Sequence, residues 1–145
     1  MTTLYTIGFT RSSAEDFFGR LRDAGVTRLL DIRLNNRSQL AGFSKAGDIE
    51  FFLRELVGAD YEHRPDLAPT QDLLKGYRGG DVGWEPFADA FLDLMAERRI
   101  EESDRTRFEG GAVLLCSEPT ADRCHRRLVA EYLAERWSDL EIAHL

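Results

Sequence analysis

Leu4-Tyr5-Thr6-Ile7 is a short run of β-prone residues that ends at Gly8, and Leu29-Leu30-Asp31-Ile32-Arg33 is a second apolar run further along the chain. Between them, Ser12-Ser13-Ala14-Glu15 has the spacing of a helix capping box, and apolar residues then recur at helical intervals until Gly25, which favours a helix end. A strand, one helix and a second strand form a βαβ unit, whose two strands are parallel. This opening segment therefore predicts an α/β fold.

The rest of the chain continues the alternation of helices and strands. The patterns predict helices over Asp48–Val57, Trp84–Glu102 and Pro119–Arg136. They predict strands over Tyr61–His63, Ala112–Leu115 and Leu140–His144. Thr120 is the expected N-cap of the last helix. Leu34–Ala46 and Asp66–Gly83 show no regular period and are expected to be mostly irregular. Residues 1–145 should form a single domain with a mostly parallel sheet of about five strands, flanked by helices.

Composition favours a cytoplasmic globular protein. The 145 residues are 43% hydrophobic and 31% charged, which is ordinary for a soluble domain. No apolar run approaches the roughly 20 residues that span a bilayer, so no membrane partner is expected. Nothing resembles a signal peptide, and the two cysteines do not form an extracellular disulfide framework. The net charge of −7 argues against broad, sequence-independent binding to nucleic acid, which depends on neutralising phosphates.

Polar residues collect where the predicted strands end. The carboxyl ends of parallel strands meet at one edge of the sheet, and ligands bind outside that edge. The last helix should begin nearby, where unpaired N–H groups and the helix dipole favour negative charge. We therefore expect one anion-binding pocket, whose candidate ligand-binding residues are Gly8, Arg33, His63, Ser117, Cys124, His125 and Arg126.

Arg33 is the arginine expected to matter most in that pocket. It ends an apolar strand beside Asp31, so its stem should be buried and its guanidinium held in place for bidentate contacts. Arg123 and Arg127 should lie on a helix surface, where water and salt screen their charges.

Several segments of the chain resemble those of a known family. The matching segments are Tyr5–Thr10, Leu30–Arg33, Tyr61–Leu67, Leu114–Glu118, Cys124–Arg127 and Ile142–Leu145. They are similar to segments of small bacterial and archaeal proteins classified as domain of unknown function 488 (DUF488). That family often has Asp-Val-Arg followed by Pro and then Ser-Arg. Here Asp31-Ile32-Arg33 precedes Asn35-Asn36, which looks like a branch of the family. The resemblance implies no activity, so function must be argued from the residues.

Cys116 is the first candidate catalytic residue. A thiolate at a strand end, beside a helix N-terminus and arginines, would have a lowered pKa and act as a nucleophile. Rhodaneses and tyrosine phosphatases share this layout, but Glu118 in the loop would repel a phosphate. The alternative is a small buried cysteine that completes a core strand.

Asp31 and Glu118 are candidate general acids or bases at neighbouring strand ends. The alternative is that they form ion pairs with Arg33 or Arg126 and only orient these arginines. Buried ion pairs are costly, so such a cluster would itself call for an explanation.

No metal or other cofactor is expected. The spacing of Cys116, Cys124, His125 and His63 fits no common zinc motif. Adjacent residues on a helix also diverge by about 100°, so Cys124 and His125 would not face one metal ion.

The sequence thus favours a strand-end pocket for a small anionic ligand, most plausibly a phosphate-bearing one such as a nucleotide or a nucleic-acid end. Catalysis through Cys116, Glu118 or Asp31 is an open hypothesis. The alternative is a non-catalytic binding or adaptor module whose Arg, Glu, Cys and His cluster is structural. The substrate, the reaction and the oligomeric state are not predicted.

Overall fold

A computed structural model of the chain describes residues 2–36, 42–117, 121 and 123–145. Its strands are β1 (Thr2–Gly8), β2 (Arg28–Asp31), β3 (Asp60–His63), β4 (Ala112–Cys116) and β5 (Leu140–His144). They form one sheet in the order β3-β2-β4-β1-β5, and every neighbouring pair is parallel. The predicted α/β architecture with a five-stranded parallel sheet is confirmed.

Helices cover both faces of the sheet. They are α1 (Ala14–Asp23), α2 (Ala46–Phe52), α3 (Gln71–Arg78), α4 (Trp84–Glu97) and α5 (His125–Arg136). The Ser13 hydroxyl accepts the Asp16 N–H at 3.1 Å and so caps α1. A π-type turn extends α2 to Val57, and Gly58 ends it in a left-handed conformation. Within the described residues, no helix is long and apolar enough to cross a membrane.

The buried residues form two layers because side chains alternate along each strand. On β4, Leu114 and Cys116 share a cluster with apolar residues of α4 and α5. Val113 and Leu115 point the other way and join the cluster that contains Phe17 of α1. All five residues of β4 are buried, as expected for a central strand covered on both faces.

Three predicted elements differ from the structure. The helix expected over Trp84–Glu102 ends at Glu97, and Ile100–Glu102 forms a separate 3-10 turn. The segment Asp66–Gly83 was expected to be irregular, but it contains α3, which the Thr70 hydroxyl caps by accepting the Leu73 N–H at 3.2 Å. None of the residues of α3 is fully buried, although Leu73, Leu74 and Tyr77 recur at helical spacing. The last helix begins at His125 and not at Pro119–Thr120, which lie outside the described residues. Cys124, with extended backbone, is its N-cap.

The topology places a crevice between β1 and β4. The chain leaves β1 through α1 on one face of the sheet and leaves β4 through α5 on the other. These two strands are neighbours, and Gly8 pairs with Cys116 at their carboxyl ends. Loops that diverge from adjacent parallel strands open a crevice, which is the usual ligand site in such sheets.

Gly111 provides a test of this architecture, because it fixes the start of β2 against β4. Its carbonyl accepts the Thr27 N–H at 2.9 Å, its φ is +100°, and an added Cβ would lie 2.8 Å from the Gly25 carbonyl oxygen. Gly110 also has a positive φ, +70°, but a Cβ there would meet no atom within 4 Å.

We expect Gly110→Ala to lower the free energy of unfolding by about 1–2 kcal/mol, the cost of left-handed backbone alone. Gly111→Ala should cost at least ~2 kcal/mol more, because the backbone must also shift. Urea unfolding of both variants measures the difference. Equal losses would contradict the close approach at Gly111.

Candidate functional site

A cavity of about 140 Å³ opens at the carboxyl edge of the sheet. This volume is large enough for several water molecules or a small anion. The residues after β1, β2 and β4 form its floor, and α3, α4 and the start of α5 form its walls. Its lining residues are Phe9, Arg33, Leu34, Asn35, Pro69, Leu74, Tyr77, Arg78, Phe87, Cys116, Ser117, Arg123, Cys124 and His125.

The cavity has a positive lining. Arg33, Arg78 and Arg123 contribute guanidinium groups, and the described lining residues include no aspartate or glutamate. Arg78 and Arg123 are exposed at the rim, whereas Arg33 is only 5% exposed. The charges that face the cavity therefore favour an anion.

A buried ion pair holds Arg33 in place. Asp31 is fully buried, and its Oδ1 and Oδ2 accept hydrogen bonds from the Arg33 Nε at 2.8 Å and Nη2 at 2.7 Å. The Arg33 Nη2 also donates to the Ser44 carbonyl at 2.6 Å, and the guanidinium lies 5.2 Å from the centre of the Phe9 ring. The remaining nitrogen, Nη1, is buried and has no hydrogen-bond partner among the described residues.

Tyr61 completes the surroundings of Asp31. Its hydroxyl donates to Oδ2 of Asp31 at 2.6 Å, and the Asn36 side-chain amide donates to the Tyr61 oxygen at 3.0 Å. Burial, together with the negative charge of Asp31, raises the pKa of Tyr61 well above its usual value. Tyr61 therefore stays protonated and remains a donor to the carboxylate.

Two histidines hold the backbone that follows β2. The His63 Nε2 lies 2.9 Å from the Arg33 carbonyl, and the His125 Nε2 lies 2.8 Å from the Ile32 carbonyl. A carbonyl only accepts, so each Nε2 carries the proton. Burial lowers the pKa of His125 to about 4, and the positive charges of Arg126 and Arg78 act in the same direction. His125 is therefore neutral at pH 7.

Cys116 and Cys124 are joined by a disulfide, which the sequence analysis did not anticipate. Both cysteines are almost fully buried, as the alternative interpretation of Cys116 expected. Arg126, 1% exposed, lies behind them: its Nη1 is 3.2 Å from the Cys116 Sγ, and its Nε donates to the Thr6 hydroxyl at 3.3 Å. In this state Cys116 carries no thiolate, so a nucleophilic role would require reduction.

The same cysteines and His125 are the only cluster of possible metal donors among the described residues, with ligand atoms within 4.8 Å of one another. Cys124 and His125 do not diverge as the sequence predicts, because Cys124 precedes the helix with extended backbone. However, the two sulphurs are bonded to each other, and the Arg126 guanidinium repels a cation at this position. The absence of a metal stays a prediction.

The structure brings most of the predicted site residues to one region. Arg33, Ser117, Cys124 and His125 line the cavity with Cys116. Gly8, His63 and Arg126 each contact a lining residue. Gly8 pairs with Cys116 in the sheet, His63 contacts the Arg33 carbonyl, and Arg126 contacts the Cys116 sulphur. Asp31 uses both carboxylate oxygens to bind Arg33 and Tyr61, which favours the ion-pair alternative for this residue. Glu118 lies outside the described residues.

Sequence reasoning missed the wall formed by Tyr77, Arg78 and Phe87. Tyr77 and Phe87 stack with ring centres 4.6 Å apart. The spacing of Leu73, Leu74 and Tyr77 was an available signal for α3, which carries two of these wall residues.

Comparisons with known proteins give a family and no activity. A family model described as "Domain of unknown function DUF488" matches residues 13–133. No curated protein and no solved structure matches the chain.

The shifted pKa of His125 predicts a pH dependence of stability. The folded pKa of about 4 lies below the ordinary 6.5, so the unfolded chain binds the proton more tightly. The contribution of neutral His125 to the free energy of unfolding is fully present above pH 6.5. It falls as the pH approaches 4, and about 2–3 kcal/mol of it is lost at pH 4.5. In His125→Gln, the amide nitrogen can replace Nε2 but does not titrate.

Urea unfolding of the parent and of His125→Gln at pH 7.5 and 4.5 separates this contribution from that of the carboxylates, which titrate in both proteins. The parent should lose about 2–3 kcal/mol more than the variant over this range. Parallel losses in the two proteins would show that His125 titrates normally.

Proposed function

We propose, from the premise that this chain belongs to the DUF488 family of domains of unknown function, that its strand-end cavity binds a small anionic ligand that bears a phosphate group. The family supplies no activity, so the proposal depends on the lining of the cavity. It deepens the family assignment by naming a ligand class and the groups that would hold it.

The observation that carries the proposal is the unsatisfied nitrogen of Arg33. Nη1 belongs to a cavity-lining side chain that is 5% exposed, and it has no partner among the described residues. Leaving a buried charged donor unpaired is costly, and a hydrogen bond to such a group is stronger than one between neutral groups. An oxygen of a bound anion would remove that cost. Because Asp31 already fixes the guanidinium, binding would not have to order the Arg33 side chain.

Two further features support an anion. Arg78 and Arg123 stand at the rim, where they attract a negative ligand over a longer range. The positive end of the α5 dipole lies at His125, which lines the cavity.

Aromatic side chains favour a ligand with a planar group beside its phosphate. Tyr77 and Phe87 form a stacked pair in the wall, and Phe9 lies at the floor next to Arg33. Aromatic rings stack on nucleobases while guanidinium groups bind phosphate. A nucleotide or the end of a nucleic-acid strand combines both chemistries. The net charge of −7 still argues against broad binding along a nucleic acid.

A second candidate is a non-catalytic binding or adaptor module, in which the polar cluster is structural. The fully paired Asp31 and the histidines bonded to backbone carbonyls favour it. An enzyme should lose turnover but keep its fold in Glu118→Gln, whereas a purely structural cluster should lose stability. These two outcomes decide whether the protein is an enzyme. Its cytoplasmic location stays a prediction.

The proposal predicts that Arg33 dominates binding. Arg33→Lys keeps a positive charge beside Asp31 but removes Nη1, so it should weaken phosphate or nucleotide binding by about 1.5–3 kcal/mol. Arg33→Ala should add a loss of stability, because it leaves Asp31 buried and unpaired. The control is Arg127→Ala: Arg127 lies 3.5 Å from Glu131 and contacts the Trp84 ring, away from the cavity lining.

Calorimetric titration with phosphate, sulfate and nucleoside monophosphates, alongside thermal melts, measures both effects. If no anion binds the parent protein at millimolar concentration, or if Arg127→Ala weakens binding as much as Arg33→Lys, the proposed function is wrong.

A further inference from the structure

The Cys116–Cys124 disulfide lies in the wall of the ligand cavity. It spans a sequence separation of only 8 residues, from the end of β4 to the N-cap of α5. Both cysteines line the cavity. A small molecule in the cavity would therefore lie next to both cysteines, which are 1% and 2% exposed.

The groups around the sulphurs would stabilise a thiolate if the bond opened. The Arg126 Nη1 is 3.2 Å from the Cys116 Sγ and 3.9 Å from the Cys124 Sγ. A ring nitrogen of His125 lies within 4.8 Å of both. A neighbouring guanidinium and a helix N-terminus are the two features that lower the pKa of redox-active thiols.

We propose that Cys116 and Cys124 are a redox-active pair that exchanges with small thiols entering the cavity, and that anionic thiols are preferred. The preference for an anion rests on the proposed function, whereas the redox couple does not. The positive lining formed by Arg33, Arg78 and Arg123 is what selects a thiol with a carboxylate or phosphate group.

The exchange proceeds in two displacements. A thiolate of the entering thiol attacks the Cys124 Sγ, the bond to the Cys116 Sγ breaks, and Cys116 leaves as a thiolate beside Arg126. Cys116 is the better leaving group because the guanidinium is closer to it. A second thiolate then attacks the small-molecule sulphur of the mixed disulfide and releases Cys124. In total the protein gains two electrons and two protons when both thiols are protonated, and two small thiols become one disulfide.

Reduction should also change the cavity. A Cys116 thiolate places a negative charge in the cavity lining and offsets the charge of Arg126, so an anionic ligand binds less well. Coupling between sites is reciprocal, so a bound anion should in turn favour the disulfide. We expect the dissociation constant for phosphate to rise about tenfold on reduction.

The first experiment counts thiols. The full chain is equilibrated in mixtures of oxidised and reduced dithiothreitol, alkylated, and analysed by mass spectrometry. Two alkylated cysteines should appear together with a two-electron dependence on the dithiothreitol ratio. A protein that keeps two free thiols under oxidising conditions would overturn the proposal, even if it binds phosphate.

The second experiment tests the choice of thiol. Reduction rates are compared for 3-mercaptopropionate and neutral 2-mercaptoethanol at equal thiolate concentration. The anionic thiol should react faster by a factor on the order of ten at low salt, and the advantage should shrink in Arg123→Ala and in high salt. Equal rates for the two thiols would overturn the anionic preference.

A third measurement locates the thiolate. Cys124→Ser leaves Cys116, and Cys116→Ser leaves Cys124. The pH midpoint for alkylation of Cys116 should lie below the ordinary thiol value of about 8.5 and below that of Cys124. Arg126→Lys, which keeps the charge but moves it, should raise the Cys116 midpoint. Identical midpoints would contradict the assignment of Cys116 as leaving group.

A protein that binds no phosphate in either redox state, but whose thiols still exchange, would contradict only the proposed function and the anionic preference that rests on it.

Discussion

The ion pair between Asp31 and Arg33 is the interaction on which the site depends. Both side chains are removed from water, and two parallel N–H donors meet the two carboxylate oxygens. Tyr61 donates to the same carboxylate, and the Ser44 carbonyl accepts from the guanidinium. Removing one partner of such a pair costs roughly 3–5 kcal/mol, because a charge is left buried alone. The pair therefore fixes the direction of the last guanidinium nitrogen, which is buried and has no hydrogen-bond partner among the described residues.

The topology of the sheet explains why charged groups gather at this edge. The crossovers after β1 and β4 leave on opposite faces, so a crevice remains between neighbouring strand ends. One buried arginine serves each side of it: Arg33 lies with Phe9 on the α1 side, and Arg126 lies against Cys116 on the α5 side. His63 and His125 hold the backbone after β2 in place through hydrogen bonds to the carbonyl groups of Arg33 and Ile32. These hydrogen bonds hold the described backbone and guanidinium groups of the crevice in place without a ligand.

The periodicity of apolar residues in the sequence is sufficient to predict the α/β sheet. Apolar runs alternating with helical patterns predict the parallel sheet. For Asp31, the sequence left two alternatives open, a catalytic acid or base and an ion pair with Arg33 or Arg126, and the structure shows the pair with Arg33. The contacts that depend on loop conformation were not predictable. Cys116 and Cys124 meet only because Cys124 lies before the helix with extended backbone. The wall at Tyr77 was missed although Leu73, Leu74 and Tyr77 recur at helical spacing in the short α3.

The most direct test of the central claim is a crystal structure of the protein soaked with selenate, whose anomalous signal identifies the anion. The account predicts one selenate in the cavity, with an oxygen about 2.7–3.1 Å from the Nη1 of Arg33. An empty cavity at high selenate concentration, or an Nη1 already bonded to a protein atom, would contradict it.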